Sequence, residues 1–469
     1  MKRLIKNGAI LPKKSIEIEH SRIGLGFEKL DRDVFDPEKA YPFVAESGVK
    51  LARLQSGWQR TERQKGVYDF AWLDSIVDNM IAIGVEPWLC LCYGNDLYSE
   101  EAKIHFGAVG VPPIKTAEER EAWQNYVKAT VTHFKGRIHY YEVWNEPDGR
   151  WCWKHGPNPE ELGEFNKVTA LACKEADPTC EVLGFVLAGS RRAVPNFLER
   201  LVDTGALEYL DGVTYHSYMT GDRKWIERYK TYDTIRREHK PSLKVIQGET
   251  GTQSRYSMAG ALRYANWTPL KQAKFLLRHL LVELGEGCYF ASHFTCMDMI
   301  EALNGRVGDV ASYLDFGYFG VIGADFDENG RCTGEYTPKP SYRSLQTLCS
   351  IFCNDYEAAE FPAEGIVLES SYVFGNDLDF GETLHYSFRK PNGSLGMVYW
   401  NPKDILTETY EGTVSLKLDE GIDPKEIRIT DLLDGTVYTL PESMIEGNLL
   451  KNIPVTDFPL LITIGDFLT

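Results

Sequence analysis

Tyr140-Tyr-Glu-Val-Trp-Asn-Glu-Pro147 reads as a short buried strand that ends in a polar dipeptide and is stopped by proline. A core strand would keep aliphatic residues to its end, whereas this one spends its last positions on Asn145 and Glu146 beside Trp144. Working outward, the same grammar recurs. Strand candidates stand at residues 23–27, 51–56, 86–92, 140–146, 181–187, 212–218, 244–250 and 287–294, each short, mostly apolar and followed by a helical run. Helix starts are marked by Asp36-Pro37, Asn158-Pro159 and Thr268-Pro269, a capping side chain before proline at the first helical position. Glu161, three residues after Asn158, adds a capping-box pattern. Trp123, Tyr126, Val127, Val131 and Phe134 fall on one helical face. Eight strand–helix units predict an α/β fold of the (β/α)8 TIM-barrel type. A doubly wound sheet would want a glycine-rich phosphate loop after its first strand. Gly24-Leu-Gly-Phe-Glu28 lacks the third glycine and has Glu where an anion would sit.

After the eighth strand the chain is irregular over 296–339, then helical at 341–352. Asp325-Phe-Asp-Glu-Asn-Gly330 starts like a calcium loop, but Tyr336 occupies the position of the bidentate Glu. A hairpin turn on Asn329-Gly330 is the better expectation. Beyond about residue 355 the texture becomes alternating, with runs at 383–389, 396–400, 413–418, 427–431 and 460–464. Turn signals at Pro391-Asn-Gly393 and Asp434-Gly435 separate them, as in a small C-terminal β-sandwich. Ile16 and Ile18, alternating with Glu17 and Glu19, predict a further strand. The expected division is an N-terminal segment over 1–21, a catalytic barrel over 22–354 and a sandwich accessory domain over 355–469.

A chain of 469 residues suits such a pair, and 43% hydrophobic with 25% charged residues excludes disorder. Lys and Arg number 51 against 68 Asp and Glu; at a formal charge of −17, neutral ligands are expected, with no nucleic acid or anionic membrane. The basic pairs Lys13-Lys14 and Arg191-Arg192 are too isolated to alter that. No apolar run is long enough for a signal peptide or a membrane span. The ten Cys form no paired framework, so a reduced, cytoplasmic protein is expected. The oligomeric state, a homo-oligomer included, is left open.

In such a barrel the chemistry lies at the carboxyl ends of the strands. Those ends carry Arg53, then Asn145 and Glu146, then His216 and Tyr218, then Gln247 and Glu249, and last Ser292 and His293. By alternation Arg53, His216 with Tyr218, and Glu249 with Gln247 can point inward. A buried Arg needs a carboxylate, which Glu142, Glu146 or Glu249 can supply. Paired carboxyls with an arginine and a histidine suit glycosidic bond cleavage, one carboxyl protonated and the other ionised. Asn145 can donate to a sugar hydroxyl. These strand ends supply no Asp, which disfavours a divalent-metal site, and no cofactor is expected.

Trp144-Asn-Glu-Pro147 on the fourth strand, Gly248-Glu-Thr250 closing the seventh and His216-x-Tyr218 on the sixth resemble clan A of the retaining glycoside hydrolases. The resemblance spans 22–354 and implies Glu146 as acid/base and Glu249 as nucleophile. Gly24-Leu-Gly-Phe-Glu28, Arg53-Leu-Gln-Ser-Gly-Trp58, Gly66-Val-Tyr-Asp-Phe70 and the trailing sandwich are most similar to family 39, the β-xylosidase and α-iduronidase group. The expectation is a retaining exo-glycosidase of oligosaccharides or small glycosides, β-xylosidase-like. Its alternatives are an α-L-arabinofuranosidase, β-galactosidase or β-glucosidase, or a non-catalytic sugar-binding barrel. Expected substrate contacts are Asn145, Arg53, His216, Tyr218, His293 and Trp58, with Glu28 and Asp96 as further hydroxyl partners. Trp151, Trp153 and Trp267 stand on loops, where packing and sugar stacking are equally open. Clan members place a Trp at the end of strand eight; here Tyr289-Phe-Ala-Ser-His293-Phe294 leaves His293, Phe294 or a loop aromatic as the sugar platform.

Overall fold

The eight apolar runs pair in parallel and close on themselves in the computed structural model, which describes residues 1, 3–189, 194–374 and 383–469. The Arg191-Arg192 pair lies outside the described residues. The barrel strands are β1 (Ile23–Gly26), β2 (Leu51–Gln55), β3 (Glu86–Leu91), β4 (Tyr140–Val143), β5 (Glu181–Leu187), β6 (Gly212–His216), β7 (Lys244–Glu249) and β8 (Ala291–His293). Closure comes from Ile23 opposite Ala291 and Leu25 opposite His293. Two strands are shorter than their apolar runs, for local reasons. β4 stops at Val143 because Trp144 (φ 69°) and Glu146 (φ 45°) take left-handed backbone that no ladder accepts. β8 starts only at Ala291 because Gly287 (φ 101°) caps the preceding helix.

The helices follow their caps. Asp36, Asn158 and Thr268 each accept a backbone N–H of the first turn, and Asn158 Oδ1 takes the amide of Glu161 at 3.0 Å. Helix Ala117–Phe134 buries Trp123, Tyr126, Val127, Val131 and Phe134 against the barrel. Inside the barrel, Leu51, Trp88, Tyr140, Leu183, Ile246 and Phe290 form an apolar floor. Gly24 suits that layer, since a Cβ there would lie 3.2 Å from the Trp88 ring. One layer higher the interior turns polar, with Arg53, Glu142 and Thr214 buried together.

After β8, Ile322–Phe326 and Cys332–Pro338 form the expected hairpin. In its turn Asp327 Oδ1 accepts the amides of Asn329 and Arg331, and Gly330 takes φ 80°. Helix Pro340–Ile351 closes the barrel.

Two antiparallel sheets follow, of seven and four strands, with Met397, Val414, Leu416, Ile429, Ile453 and Ile462 in one core cluster. The sandwich is larger than the alternation predicted. Ala363–Phe374 carries two register shifts and Leu449–Val455 contains Pro454, so neither shows a clean two-residue period. The predicted strand around Ile16 is also corrected. Residues Ser15–Glu17 form a 3-10 turn, in which Glu17 accepts the Lys14 amide at 2.7 Å and Ser15 Oγ donates to the Val44 carbonyl at 3.0 Å. The strand of this segment is Ile5–Ala9, paired with Thr436–Thr439 at the edge of the seven-stranded sheet. Among the described residues no helix is long and apolar enough to cross a membrane. All ten cysteines are buried and unpaired.

Helix Pro269–Glu286 joins barrel and sandwich. Its Arg278 binds both carboxylate oxygens of Asp222, which also accepts from Trp400 Nε1 at 2.9 Å, and its Lys274 pairs with Asp457 at 2.7 Å. Asp222→Ala leaves a guanidinium buried without its partner. It is expected to cost about 3–5 kcal/mol, the usual effect of breaking a buried pair from one side. A shift of the urea midpoint measures this, and an unchanged midpoint refutes it.

Candidate active site

The strained turn after β4 sets the site. Trp144 swings to the helix side, donates from Nε1 to the Cys152 carbonyl at 2.7 Å and packs edge-on against Tyr93, Trp123, Trp153 and Phe165. Two left-handed residues cost about 1–2 kcal/mol each, and this packing offsets that cost. With Trp144 anchored outside, Asn145 and Glu146 turn inward.

Arg53, wholly buried, is the hub. It donates to Glu142 Oε2 at 2.7 Å, Glu28 Oε1 at 3.1 Å, Glu249 Oε2 at 2.5 Å and Asn145 Oδ1 at 3.0 Å. Thr214 Oγ1 completes Glu142 at 2.7 Å. Two glycines clear the space. A Cβ on Gly26 would come within 3.3 Å of Glu28 Oε1, and one on Gly248 within 3.2 Å of Glu142 Oε1.

The two catalytic candidates face each other across this hub. His216 Nδ1 lies 2.9 Å from Glu146 Oε1 and 3.8 Å from Glu249 Oε2. Trp151 Nε1 donates to Glu146 Oε2, and the Tyr218 hydroxyl donates to Glu249 Oε1 at 2.6 Å. An oxygen of each glutamate and a ring nitrogen of His216 lie within 4.8 Å of one another. Such a trio could in principle hold a cation. All four carboxylate oxygens, however, already face a donor, and a cation bound to Glu249 Oε2 would meet the Arg53 guanidinium head-on. The donor set fits a metal poorly.

The charges are distributed unevenly. Burial pushes Glu249 up, but His216, Arg53 and the Tyr218 hydrogen bond outweigh it and hold the carboxyl below its usual range. Burial pulls His216 down, yet Glu249 and Glu146 raise it overall. Glu28 goes the other way: burial, with Glu249 nearby, lifts it to about 7 despite Arg53.

Two expected contacts are corrected. Trp58 is fully buried, sandwiched between Tyr98 and Tyr126, with Nε1 bound to Glu62 Oε2 at 2.5 Å; no ring face is left for a sugar. His293 is also fully buried, and burial together with Lys339 holds it down to about 3. Alternation explains it. Ser292 lies against Gly24 in the barrel and Phe294 against Tyr218, so His293 faces outward, where it bears on His279 of helix Pro269–Glu286. Gln247 likewise turns away from the interior and accepts the Ser292 amide at 3.1 Å, whereas Glu249 reaches inside past a register shift between β6 and β7. Trp153 and Trp267 pack against Phe165 and Phe275.

Trp151 is only partly legible in the sequence, and Lys29 and Glu301 are not legible there at all. Lys29 lies 5.0 Å from the centre of the Phe294 ring and pairs with Glu301 at 3.4 Å; Glu301 falls in the irregular stretch after β8, where no periodicity marks it. At the end of β8 the residue on the side of the site is Phe294, buried between Lys29, Tyr218 and Phe319.

Residues 46–241 match the family model of the glycosyl hydrolases family 39. A β-xylosidase of Geobacillus stearothermophilus is 24% identical over 374 residues, 74% of this chain and 64% of the relative. One from Caldicellulosiruptor saccharolyticus is 24% identical over 309 residues, 60% of this chain and 56% of the relative. The chain thus spans somewhat less than two thirds of the length of these curated relatives. Among solved structures, a family 39 glycoside hydrolase from Bacteroides cellulosilyticus shares the fold with TM-score 0.66 at 16% identity, over 94% of this chain and 80% of that one. A family 39 β-xylosidase from Caulobacter crescentus does so with TM-score 0.57 at 16% identity, over 98% and 97%. The family 39 resemblance and the barrel-with-sandwich fold read from the sequence both hold.

Glu28 supplies a pH test. A carboxyl raised from 4.5 to about 7 in the folded state keeps its proton while the unfolded chain loses it. Its contribution to stability is full below about pH 4.5 and is lost as pH rises through about 7. Glu28→Gln has no such loss, so its melting temperature relative to wild type should climb between about pH 5 and about pH 7.5. A difference constant across that window contradicts the assignment.

Proposed function

We propose that this chain, whose residues 46–241 match the glycosyl hydrolases of family 39, is a retaining exo-glycosidase acting on small β-xylosides or xylo-oligosaccharides. The observation that carries the reading is the approach of Glu146 and Glu249 oxygens to within 4.8 Å. Retaining glycosidases hold their carboxyls about 5–5.5 Å apart, whereas inverting ones need about 6.5–9.5 Å to admit a water.

Each group then has one task. Protonated Glu146 gives its proton to the glycosidic oxygen as the C1–O bond breaks. Glu249, kept ionised by His216, Arg53 and Tyr218, forms the bond to C1, and the leaving group departs as an alcohol. Glu146, now a carboxylate, takes a proton from water as that water attacks C1, which releases the sugar and restores Glu249. His216 and Trp151 aim the two oxygens of Glu146. Asn145 has Oδ1 committed to Arg53 and donates from Nδ2 to Cys152 Sγ at 3.4 Å, which leaves one N–H for a sugar hydroxyl. The choice of xylose rests on the named activity of the curated relatives.

A panel of aryl glycosides tests activity and sugar together, and turnover of none of them refutes the proposal. Product NMR should detect the β-anomer first, and initial release of the α-anomer would exclude retention. Glu249→Ala should abolish turnover without lowering the melting temperature. Glu146→Ala should slow alkyl or sugar leaving groups by about 10²–10⁴-fold while dinitrophenyl glycosides lose little. Equal loss on both substrate types rejects the acid/base role. Activity should survive exhaustive chelation.

A further inference from the structure

The chain that leaves β8 does not stay beside it. Met299–Ile300 pairs antiparallel with Phe316–Gly317, so residues 301–315 between them form a finger. Its base is held by Lys29, from the loop after β1, through the Ile300 carbonyl at 3.2 Å. Its tip reaches the loop after β3. There the Phe106 amide donates to the Gly305 carbonyl at 3.0 Å, the Val307 amide donates to the Ile104 carbonyl at 2.9 Å, and the rings of Phe106 and Tyr313 stack at 4.4 Å. Gly305 is packed too tightly for a side chain, since a Cβ would lie 2.8 Å from that of Tyr313 and 3.2 Å from that of Phe106.

Lys154 fastens this tip to the loop that carries Glu146. Its Nζ donates to the Trp151 carbonyl at 2.8 Å, the Leu303 carbonyl at 2.8 Å and Asn304 Oδ1 at 3.1 Å. An ammonium has three donors, and all three are used. None of these acceptors is charged, and burial pulls the pKa of the group down, so the tie carries a desolvation cost that an exposed lysine would not have. The Lys154 amide binds the Gly110 carbonyl at 2.7 Å, and a Cβ on Gly110 would come within 2.5 Å of the Trp151 carbonyl oxygen. The loops after β3, β4 and β8 therefore meet around the backbone of Trp151, whose indole Nε1 donates to Glu146 Oε2.

We propose that Lys154 is a positioning residue for the acid/base. By holding the Trp151 carbonyl and the finger tip at once, it fixes the indole that aims Glu146, so that proton delivery to the leaving group depends on a docked finger. Lys154 has this role only if Glu146 is the acid/base of the glycosidase reading above. A tie that merely stabilised the fold would behave differently. A loosened fold slows every substrate alike, whereas a loosened indole slows only the substrates whose leaving group needs a well-aimed proton.

Kinetics of the full chain on two glycosides of its preferred sugar distinguish these cases: a methyl glycoside, whose leaving group needs a proton, and a dinitrophenyl glycoside, whose leaving group does not. In Lys154→Met, kcat/KM on the methyl glycoside should fall about 10- to 100-fold, and on the dinitrophenyl glycoside by less than about twofold. Gly305→Val, which crowds the finger tip off Phe106 and leaves Lys154 itself intact, should show the same split. In a Trp151→Phe background, which already lacks the indole N–H, Lys154→Met should add nothing to the split. No loss, equal loss on both substrates, or a full added split in Trp151→Phe overturns the positioning role. A split in Lys154→Met with none in Gly305→Val overturns the dependence on the finger. Should Lys154→Met melt below the assay temperature, Lys154→Gln, which keeps one donor group, is judged by the same ratio. Turnover of neither glycoside by the wild-type chain overturns the glycosidase reading and this role with it.

Discussion

One guanidinium organises this barrel. Arg53 sits above the apolar floor where water does not reach, and its fork is shared among three carboxylates and an amide. A single positive charge cannot neutralise three acids in a dry interior, so the acids divide the roles. The one that also holds Tyr218 and His216 stays ionised, and Glu28 keeps its proton into the neutral range. The chemistry assigned to Glu249 therefore depends on a layer it does not itself contain. Gly26, Gly248 and Thr214 matter because they leave Arg53 and its acids room or complete them.

Much of this was legible in the order of residues. Eight apolar runs with proline-marked helix starts are enough to write the barrel, because parallel strands buried on both faces need continuous apolar sequence and helices need caps. Arg53 and Glu142 could be paired from parity alone. The failures share a cause, which is that pattern gives a residue's address and not its heading. Trp58 was placed at a rim, but the short helix Trp58–Thr61 turns its ring into an aromatic stack, with Glu62 one turn on to take the indole N–H. His293 and Gln247 have their neighbours, not themselves, on the inward parity. Glu301 was beyond reach, since its partner Lys29 lies 272 residues away.

The sandwich was underread for a related reason. Bulges and an internal proline break the two-residue period that identifies a half-buried strand, so the long strand Ala363–Phe374 looks like loop until its partner Thr409–Leu418 is known. The same strand irregularities are tolerable because the sandwich core is continuous across both sheets.

Helix Pro269–Glu286 has a consequence for how the molecule bears load. Every residue from Lys271 to Leu284 is buried, an all-round burial that an outer barrel helix with one face to solvent would not have. The faces that would be wet are covered, in part by Asp457, Tyr386 and Glu408 of the C-terminal region. This helix follows directly on the loop that leaves β7, the strand ending in Glu249. The sandwich thus works as a splint. It covers the barrel helix that follows the strand ending in Glu249, and it does so without contributing an atom to the site described above.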